Sequence, residues 1–417
     1  MDKLTIFLVV FLVFLNASAQ NNKKLALTPP MGWNSWNMFE GDINEKIVKE
    51  IADAFVKTGM KDAGYVYIII DDVWQGGRDN RNRIVPDPKK FPSGIKLLAD
   101  YVHDKGLKFG IYSNAAYYTC GGFTASYGFE KEDAETFAKW GVDYLKYDYC
   151  NAPKDQKTAI KRYLRMSSAL KKSGREIVFA ICEWGRREPW IWGKTVGGNL
   201  WRTTWDSRDI WETKKYTAGR AGIMNILDKQ IGLEKYSGPG GWNDPDMLMV
   251  GLYGKGKSSS LKYKKGCSDV EYKSHFSLWC MLAAPLIVNT DVRDMNEATK
   301  NILLNREMIS IDQDPLGKQA TRIVDEDGIN IFLKPLQNGE WAICFLNRSN
   351  GIKSIDFNWE SLTLNKKESG YSDSYKSLKN YTLRDVWKHK NIGNTKSNLK
   401  IKIISHDVLV LRLIRQK

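Results

Sequence analysis

Between Pro30 and about Asp314 the chain repeats one local pattern: a short apolar run with a polar or aromatic finish, then an amphipathic stretch usually stopped by Gly or Pro. Parallel strands need a crossover of a dozen or more residues, generally a helix, so this pattern calls for a parallel sheet clothed in helices. Eight runs are present: MGWNSW (31–36), VYIIIDD (66–72), LKFGIYS (107–113), YLKYDYC (144–150), VFAICEW (178–184), LWRTTWD (200–206), GGWNDPDML (240–248) and PLIVNTD (285–291). Helices are expected between them over 45–58, 94–104, 131–139, 156–172, 223–231, 270–283 and 300–308. No glycine-rich phosphate turn follows the first run, which sets an open doubly wound sheet well behind a (β/α)₈ barrel. In such a barrel all strand ends converge on one face, where chemistry is built.

After Asp314 the texture changes to TRIV, NIFLKPL, WAICFLN, SIDFNW and LKIKIISHDVLVLRLI, with turn signals at Asp325–Gly328, Asn338-Gly339 and Asn350-Gly351. These features predict an antiparallel β-sandwich of about one hundred residues. The expected division is therefore a leader over 1–19, a catalytic barrel over 20–314 and a C-terminal sandwich over 315–417. The leader is read from Lys3, the apolar run Leu4–Leu15 and the small-residue site ending at Ala19. It implies a secreted or periplasmic protein. Its apolar run is too short to span a bilayer, so no stable membrane insertion is expected.

Six cysteines among 417 residues are too few for a stapled scaffold, so one or two local bridges are expected. The formal net charge is +15, but the lysines are scattered and accompany no nucleic-acid-binding signature. Nucleic acid is not expected as a partner, and the basic surface reads first as solvated. The segment 253–266 carries Lys255, Lys257, Lys262, Lys264 and Lys265 without an acid. It reads as a solvated loop, with contact to an anionic glycan as the alternative.

Strand alternation places Tyr144, Lys146, Asp148 and Cys150 on one face of YLKYDYC, and Arg202, Thr204 and Asp206 on one face of LWRTTWD, with Trp201 and Trp205 turned outward. Two carboxylates on one barrel rim are what a glycosidase needs. A neighbouring Lys146 favours an ionised, nucleophilic Asp148, and the charge of Asp148 is expected to raise Asp206 and keep a proton on it as general acid. Arg202 is expected to point at sugar hydroxyls or at Asp148. Asp71 and Asp72 end the second run, where acids hold sugar hydroxyls or a metal. With four His in the chain and none at these strand ends, no metal is expected. Trp36, Tyr112 and Trp184 end other runs and supply aromatic faces for a sugar.

These residues resemble glycoside hydrolase family 27, the retaining α-galactosidases and α-N-acetylgalactosaminidases. The resemblance rests on PPMGWNSWN, IDDVW, FPSGIKLLADYVHDKGLKFGIYS, WGVDYLKYDYC, CEWG, PGGWNDPDML, AAPLIVNTD and IDQDPLGKQ, in that order. It implies an exo-acting retaining α-galactosidase with Asp148 as nucleophile and Asp206 as acid/base. The sugar pocket it implies is Trp36, Asp71, Asp72, Tyr112, Lys146, Glu183, Trp184, Arg202, Asp246 and Met247. Asp71 and Asp72 would take the 4- and 6-hydroxyls, and Glu183 and Arg202 the 2-hydroxyl side. The partner implied is a galactose-terminated carbohydrate, no cofactor is implied, and the oligomeric state is left open. A disulfide between Cys120 and Cys150 is implied as well. A second bridge common in the family falls on Gly41 and Val73 and is absent, which predicts a looser loop around Trp36. Rival activities are α-N-acetylgalactosaminidase, disfavoured by an acidic Glu183, and β-L-arabinopyranosidase, disfavoured by the retention of both Asp71 and Asp72. A non-catalytic glycan-binding barrel would be expected to lose a catalytic carboxylate.

Overall fold

The structure is a computed structural model describing residues 25–257, 265–361, 378 and 380–416, so the expected leader lies outside the described residues. All eight runs supply parallel strands: β1 (Met31–Asn34), β2 (Tyr67–Ile69), β3 (Lys108–Asn114), β4 (Tyr144–Asp148), β5 (Val178–Ile181), β6 (Leu200–Arg202), β7 (Trp242–Asp244) and β8 (Leu286–Val288). They bond in the order β8-β1-β2-β3-β4-β5-β6-β7. The ring is completed beyond β7, where the Leu248 N–H donates to the Ile287 carbonyl at 2.8 Å and Leu248 bridges Val288.

Alternation sorts the strand residues. Tyr67, Ile69, Tyr144, Val178, Ala180, Leu200 and Trp242 fill the barrel, while Ile68, Phe109, Leu145, Tyr147, Phe179 and Trp201 pack outward under the helices. The rings of Tyr67 and Tyr144 lie 5.5 Å apart inside the barrel. Glycines on neighbouring strands make the room. A Cβ on Gly32 would fall 2.3 Å from the Tyr67 carbonyl oxygen, and one on Gly110 would fall 2.6 Å from Ile69.

The crossover helices are α1 (Glu45–Lys57), α2 (Gly94–Asp104), α3 (Glu130–Trp140), α4 (Gln156–Lys172), α5 (Ile223–Asp228) and α6 (Asp269–Met281), and α7 (Glu297–Leu303) and α8 (Arg306–Asp312) follow β8. Asn44 caps α1 by accepting from Ile47 N, and the Val48, Ile51, Ala52 and Phe55 face is buried. The single helix expected over 300–308 is two, because Asn305 accepts the Met308 N–H and starts α8. Helix α6 opens on a capping box of Ser268 and Glu271 and is buried at Tyr272 and from Ser274 to Met281. A helix buried all round needs cover on both sides. The barrel covers one, the C-terminal domain the other.

That domain pairs β9 (Thr321–Glu326), β10 (Ile329–Pro335), β11 (Trp341–Asn347), β13 (Tyr381–Asp385), β14 (Lys390–Asn394) and β16 (Val408–Arg415) in one antiparallel sheet, and β12 (Lys353–Phe357) with β15 (Leu399–Ile403) in a second. Every residue of β11 is buried. Trp341, Ile343 and Phe345 face the second sheet, whereas Ala342, Cys344 and Leu346 join the barrel's own core. The run LKIKIISHDVLVLRLI is two strands in different sheets, parted by a corner at His406 with φ of +59°. The His406 carbonyl accepts from Ser274 Oγ of α6 at 2.6 Å. Lys334 Nζ, fully buried, donates to the Cys280 carbonyl at 2.8 Å. Strands β13 and β14 escape sequence reading since YTLRD and KNIGN are polar, and β14 is largely exposed.

Candidate active site

The polar ends of β1 to β7 meet at one mouth. Asp148, 5% exposed at the end of β4, accepts from Tyr112 Oη at 3.1 Å and from Tyr149 N at 2.8 Å. Asp71, beyond β2, accepts on Oδ2 from Asn34 Nδ2 at 2.7 Å and Lys146 Nζ at 2.8 Å, and on Oδ1 from Asp72 N at 2.9 Å. Lys146 also lies 5.4 Å from the Tyr112 ring centroid. Burial opposes its charge, but Asp71 and Asp148 help outweigh burial and hold the ammonium above its ordinary pKa. Asp72 accepts from Val73 N and Gly121 N, both at 2.7 Å. Trp36, half-buried, starts a short helix, and its N–H donates to Asn34 Oδ1 at 2.9 Å.

Across the mouth one guanidinium serves two carboxylates. Arg202 Nη2 contacts Asp206 Oδ1 at 2.7 Å and Nη1 contacts Asp246 Oδ1 at 2.8 Å. Asp246 also accepts from the Ser207 N–H and hydroxyl at 2.7 and 2.9 Å. It holds φ of +90°, and Trp184 holds +59°. Strained backbone of this kind concentrates at functional sites. Half-buried Met247 packs on the apolar cluster inside the barrel.

Three expectations need correction. Arg202 does not leave Asp206 free; it ion-pairs with it. The walls of the mouth partly desolvate Asp206 and would raise its pKa, although about half of its side chain stays exposed, yet Arg202 and Lys146 together outweigh this and hold the group below its ordinary value. Burial pushes Asp148 up to about 7 despite Lys146. The proton therefore favours Asp148 over Asp206, the reverse of the expected order. Second, Glu183 does not face the mouth. Its carboxylate is fully buried, with Oε1 on Arg187 N at 3.1 Å and Oε2 on Arg187 Nη1 at 2.9 Å. Alternation explains it: Val178 and Ala180 point inward, and the Cys182 N–H bond to the Tyr147 carbonyl at 2.9 Å carries the ladder one residue past β5, so Cys182 is the inward residue and Glu183 points out. Cys182 Sγ lies 3.8 Å from Arg202 Nη1. An acid at 183 thus gives no ground for excluding an N-acetyl group at the sugar 2-position. Third, Trp205 is not turned into the outer layer but stacks on Trp184 at the rim, centroids 5.7 Å apart, with Arg186 over its ring at 5.3 Å.

Asn34, Cys182 and Asp244 are the site groups that sequence reasoning missed. Asp244 accepts from Asp246 N at 2.9 Å, and burial pushes its carboxyl up to about 6. Applying the inward parity of β1, β5 and β7 to every residue was the signal available.

Cys120 and Cys150 are bonded, their Cα atoms 5.1 Å apart. Their sulfurs and Asp148 cluster closely, but sulfurs bonded to each other offer no thiolates to a metal. The other four cysteines are buried and free. Of the basic segment, 258–264 lies outside the described residues, and Lys257 pairs with Asp42 of the loop after β1. No helix among the described residues is long and apolar enough to cross a membrane.

A family model described as alpha galactosidase A matches residues 28–314, and one described as the alpha galactosidase C-terminal beta sandwich domain matches 326–413. Alpha-galactosidase A of Cellvibrio japonicus is 45% identical over 96% of this chain and 96% of its own length. The chain belongs to glycoside hydrolase family 27. Other family members agree: an alpha-galactosidase of Oryza sativa is 42% identical over 92% of this chain and 84% of its own. The crystal structure of alpha-galactosidase I from Mortierella vinacea superposes with a TM-score of 0.86 at 35% identity, covering 95% of this chain and 99% of that one. The Saccharomyces cerevisiae alpha-galactosidase solved with raffinose gives 0.84 at 30% identity, covering 94% and 98%. A β-L-arabinopyranosidase from Geobacillus stearothermophilus, at 22% identity and a TM-score of 0.76, shares the fold. The chain is a glycoside hydrolase.

Proposed function

We propose that this hydrolase is an exported, exo-acting retaining α-galactosidase that removes terminal α-galactosyl groups from oligo- or polysaccharides. One observation carries the mechanism: Asp148 is buried at the floor of the mouth, while Asp206, its side chain 51% exposed, stands at the rim opposite. A nucleophile must reach the anomeric carbon beneath the ring. An acid/base must reach first the departing glycosidic oxygen and then water, so it belongs on the open side. Tyr112 and the Tyr149 N–H aim Asp148. Since the resting proton favours Asp148, sugar binding has to shift it to Asp206 before attack. Asp71, Asp72 and Lys146 take hydroxyls on one side of the ring, Trp36 stacks on its apolar face, and Cys182 with Arg202 faces the 2-position. The galactose reading is supported by relatives at 30% identity and above; an aryl glycoside screen with galactose, N-acetylgalactosamine and arabinopyranose tests it.

The mechanism is tested by two variants. Asp148→Ala abolishes turnover, and any product formed with added azide is the inverted β-galactosyl azide. Asp206→Ala suffers most on substrates with poor leaving groups, and azide returns the retained α-galactosyl azide. NMR of the wild-type reaction shows α-galactose first. β-Galactose as first product would overturn both assignments.

A further inference from the structure

Val73, which follows the Asp71 and Asp72 pair, holds φ of +74°, a conformation that is a genuine outlier for a β-branched residue. Its side chain is wedged between two neighbouring loops. A Cβ on Gly41, after β1, would lie 3.4 Å from Val73 Cγ1, and one on Gly121, after β3, would lie 3.2 Å from Cγ2. The backbone is tied by a cation. Lys90 Nζ donates to the Gly41 carbonyl at 2.8 Å and to the Val73 carbonyl at 2.9 Å. Asp72 and Asp87 are the acids whose charges act on this ammonium, and burial opposes them. The Val73 N–H in turn holds Asp72 Oδ1 at 2.7 Å.

We propose that Lys90 is a positioning residue for substrate recognition: by joining the loops after β1 and β2 through their carbonyls, it fixes the Val73 backbone and so aims Asp72 at the sugar. The ammonium occupies the place of a covalent clip. A Cβ on Gly41 would stand 3.9 Å from Val73 Cβ, within the span of about 3.5–4.5 Å that a disulfide bridges. The looser loop expected from the missing cysteines is therefore tied by other means.

The inference rests on Asp72 reading the galactose 6-hydroxyl, and the test separates the two. Steady-state constants are compared for p-nitrophenyl α-galactoside and for p-nitrophenyl β-L-arabinopyranoside, which lacks the hydroxymethyl group. Lys90→Met raises the galactoside KM about tenfold, leaves kcat within about threefold and leaves the arabinopyranoside constants within about twofold, a loss of binding confined to one hydroxyl. The bridged variant Gly41→Cys/Val73→Cys/Lys90→Met returns the galactoside KM to near wild type. An unchanged KM in Lys90→Met, or equal loss on both substrates, overturns the role of Lys90 when Asp72→Asn shows the selective loss. If Asp72→Asn shows none, the Asp72 reading fails and the inference falls with it. Should Lys90→Met not fold, the bridged variant decides: wild-type discrimination supports the inference, and a folded bridged protein with weakened galactoside binding overturns it.

Discussion

The two sides of the mouth hold their carboxylates by different means. Asp71 and Asp72 are gripped mainly by the N–H groups of Asp72, Val73 and Gly121 and by the Asn34 amide, donors fixed to barrel strands and tight loops, and the one cation there, Lys146, serves Asp71 alone. Asp206 and Asp246 share one guanidinium on Arg202. Backbone donors impose one geometry, whereas two acids on one cation can trade charge and proton between them. The side proposed to recognise the sugar is therefore preorganised, and the side proposed to handle protons is adjustable.

The severest break of that contrast is Arg202→Met, which strands two acids at once. Removing one partner from a buried ion pair costs about 3–5 kcal/mol, so urea unfolding should shift strongly and kcat/KM should fall beyond the loss in any gripping-side variant. Full stability in this variant would mean that the acids do not depend on the shared cation. A pH series comes next. Asp148 is raised to about 7 and is protonated below that. Attack needs one proton on the pair, resting on Asp148 and shifted to Asp206, so kcat/KM declines on the alkaline side of about 7, approaching tenfold per unit. A limb near the ordinary carboxylate value would show the Asp148 site to be wetter than its burial implies. Asn34→Ala removes one of several donors from Asp71 and should cost about 1.5–3 kcal/mol in kcat/KM for the galactoside, with little change in pH dependence. Lys257→Ala is the mildest. Its pair with Asp42 is largely solvent-exposed, and exposed pairs contribute about 0–1 kcal/mol. A steeper salt dependence on a sulfated than on a neutral galactoside, abolished in Lys257→Ala, would instead give this loop a role in anionic substrates.

The barrel was legible because alternation and crossover length are local properties. The same rule placed Asp148 and Lys146 inward on β4, and carried along β5 it points to Cys182 rather than to the Glu183 that the resemblance implied. Strand parity ends where the ladder does: the last ladder bond past β6 (Leu200–Arg202) is from the Thr203 N–H to the Asp244 carbonyl, and Trp205 lies beyond it, so alternation could not place it. The Arg202 pairing was not readable either, because Asp246 approaches from a different strand end 44 positions later in numbering, through a bend at a positive φ. In the sandwich, β11 was easy, being apolar on both faces, and β14 was hidden, having neither an apolar face nor burial.

From Ser274 onward helix α6 has no face of its own for water. During synthesis its outer surface, and the barrel wall beside it, wait for β10, β11 and β16, the last of which follows every other described strand. A nascent barrel is thus greasy where the finished enzyme is dry, a state prone to aggregation until the final strands arrive. Afterwards Phe332, Cys344 and Val410 belong to the barrel's own core cluster. The two halves should then melt as one cooperative unit, and neither should outlive a proteolytic cut between them.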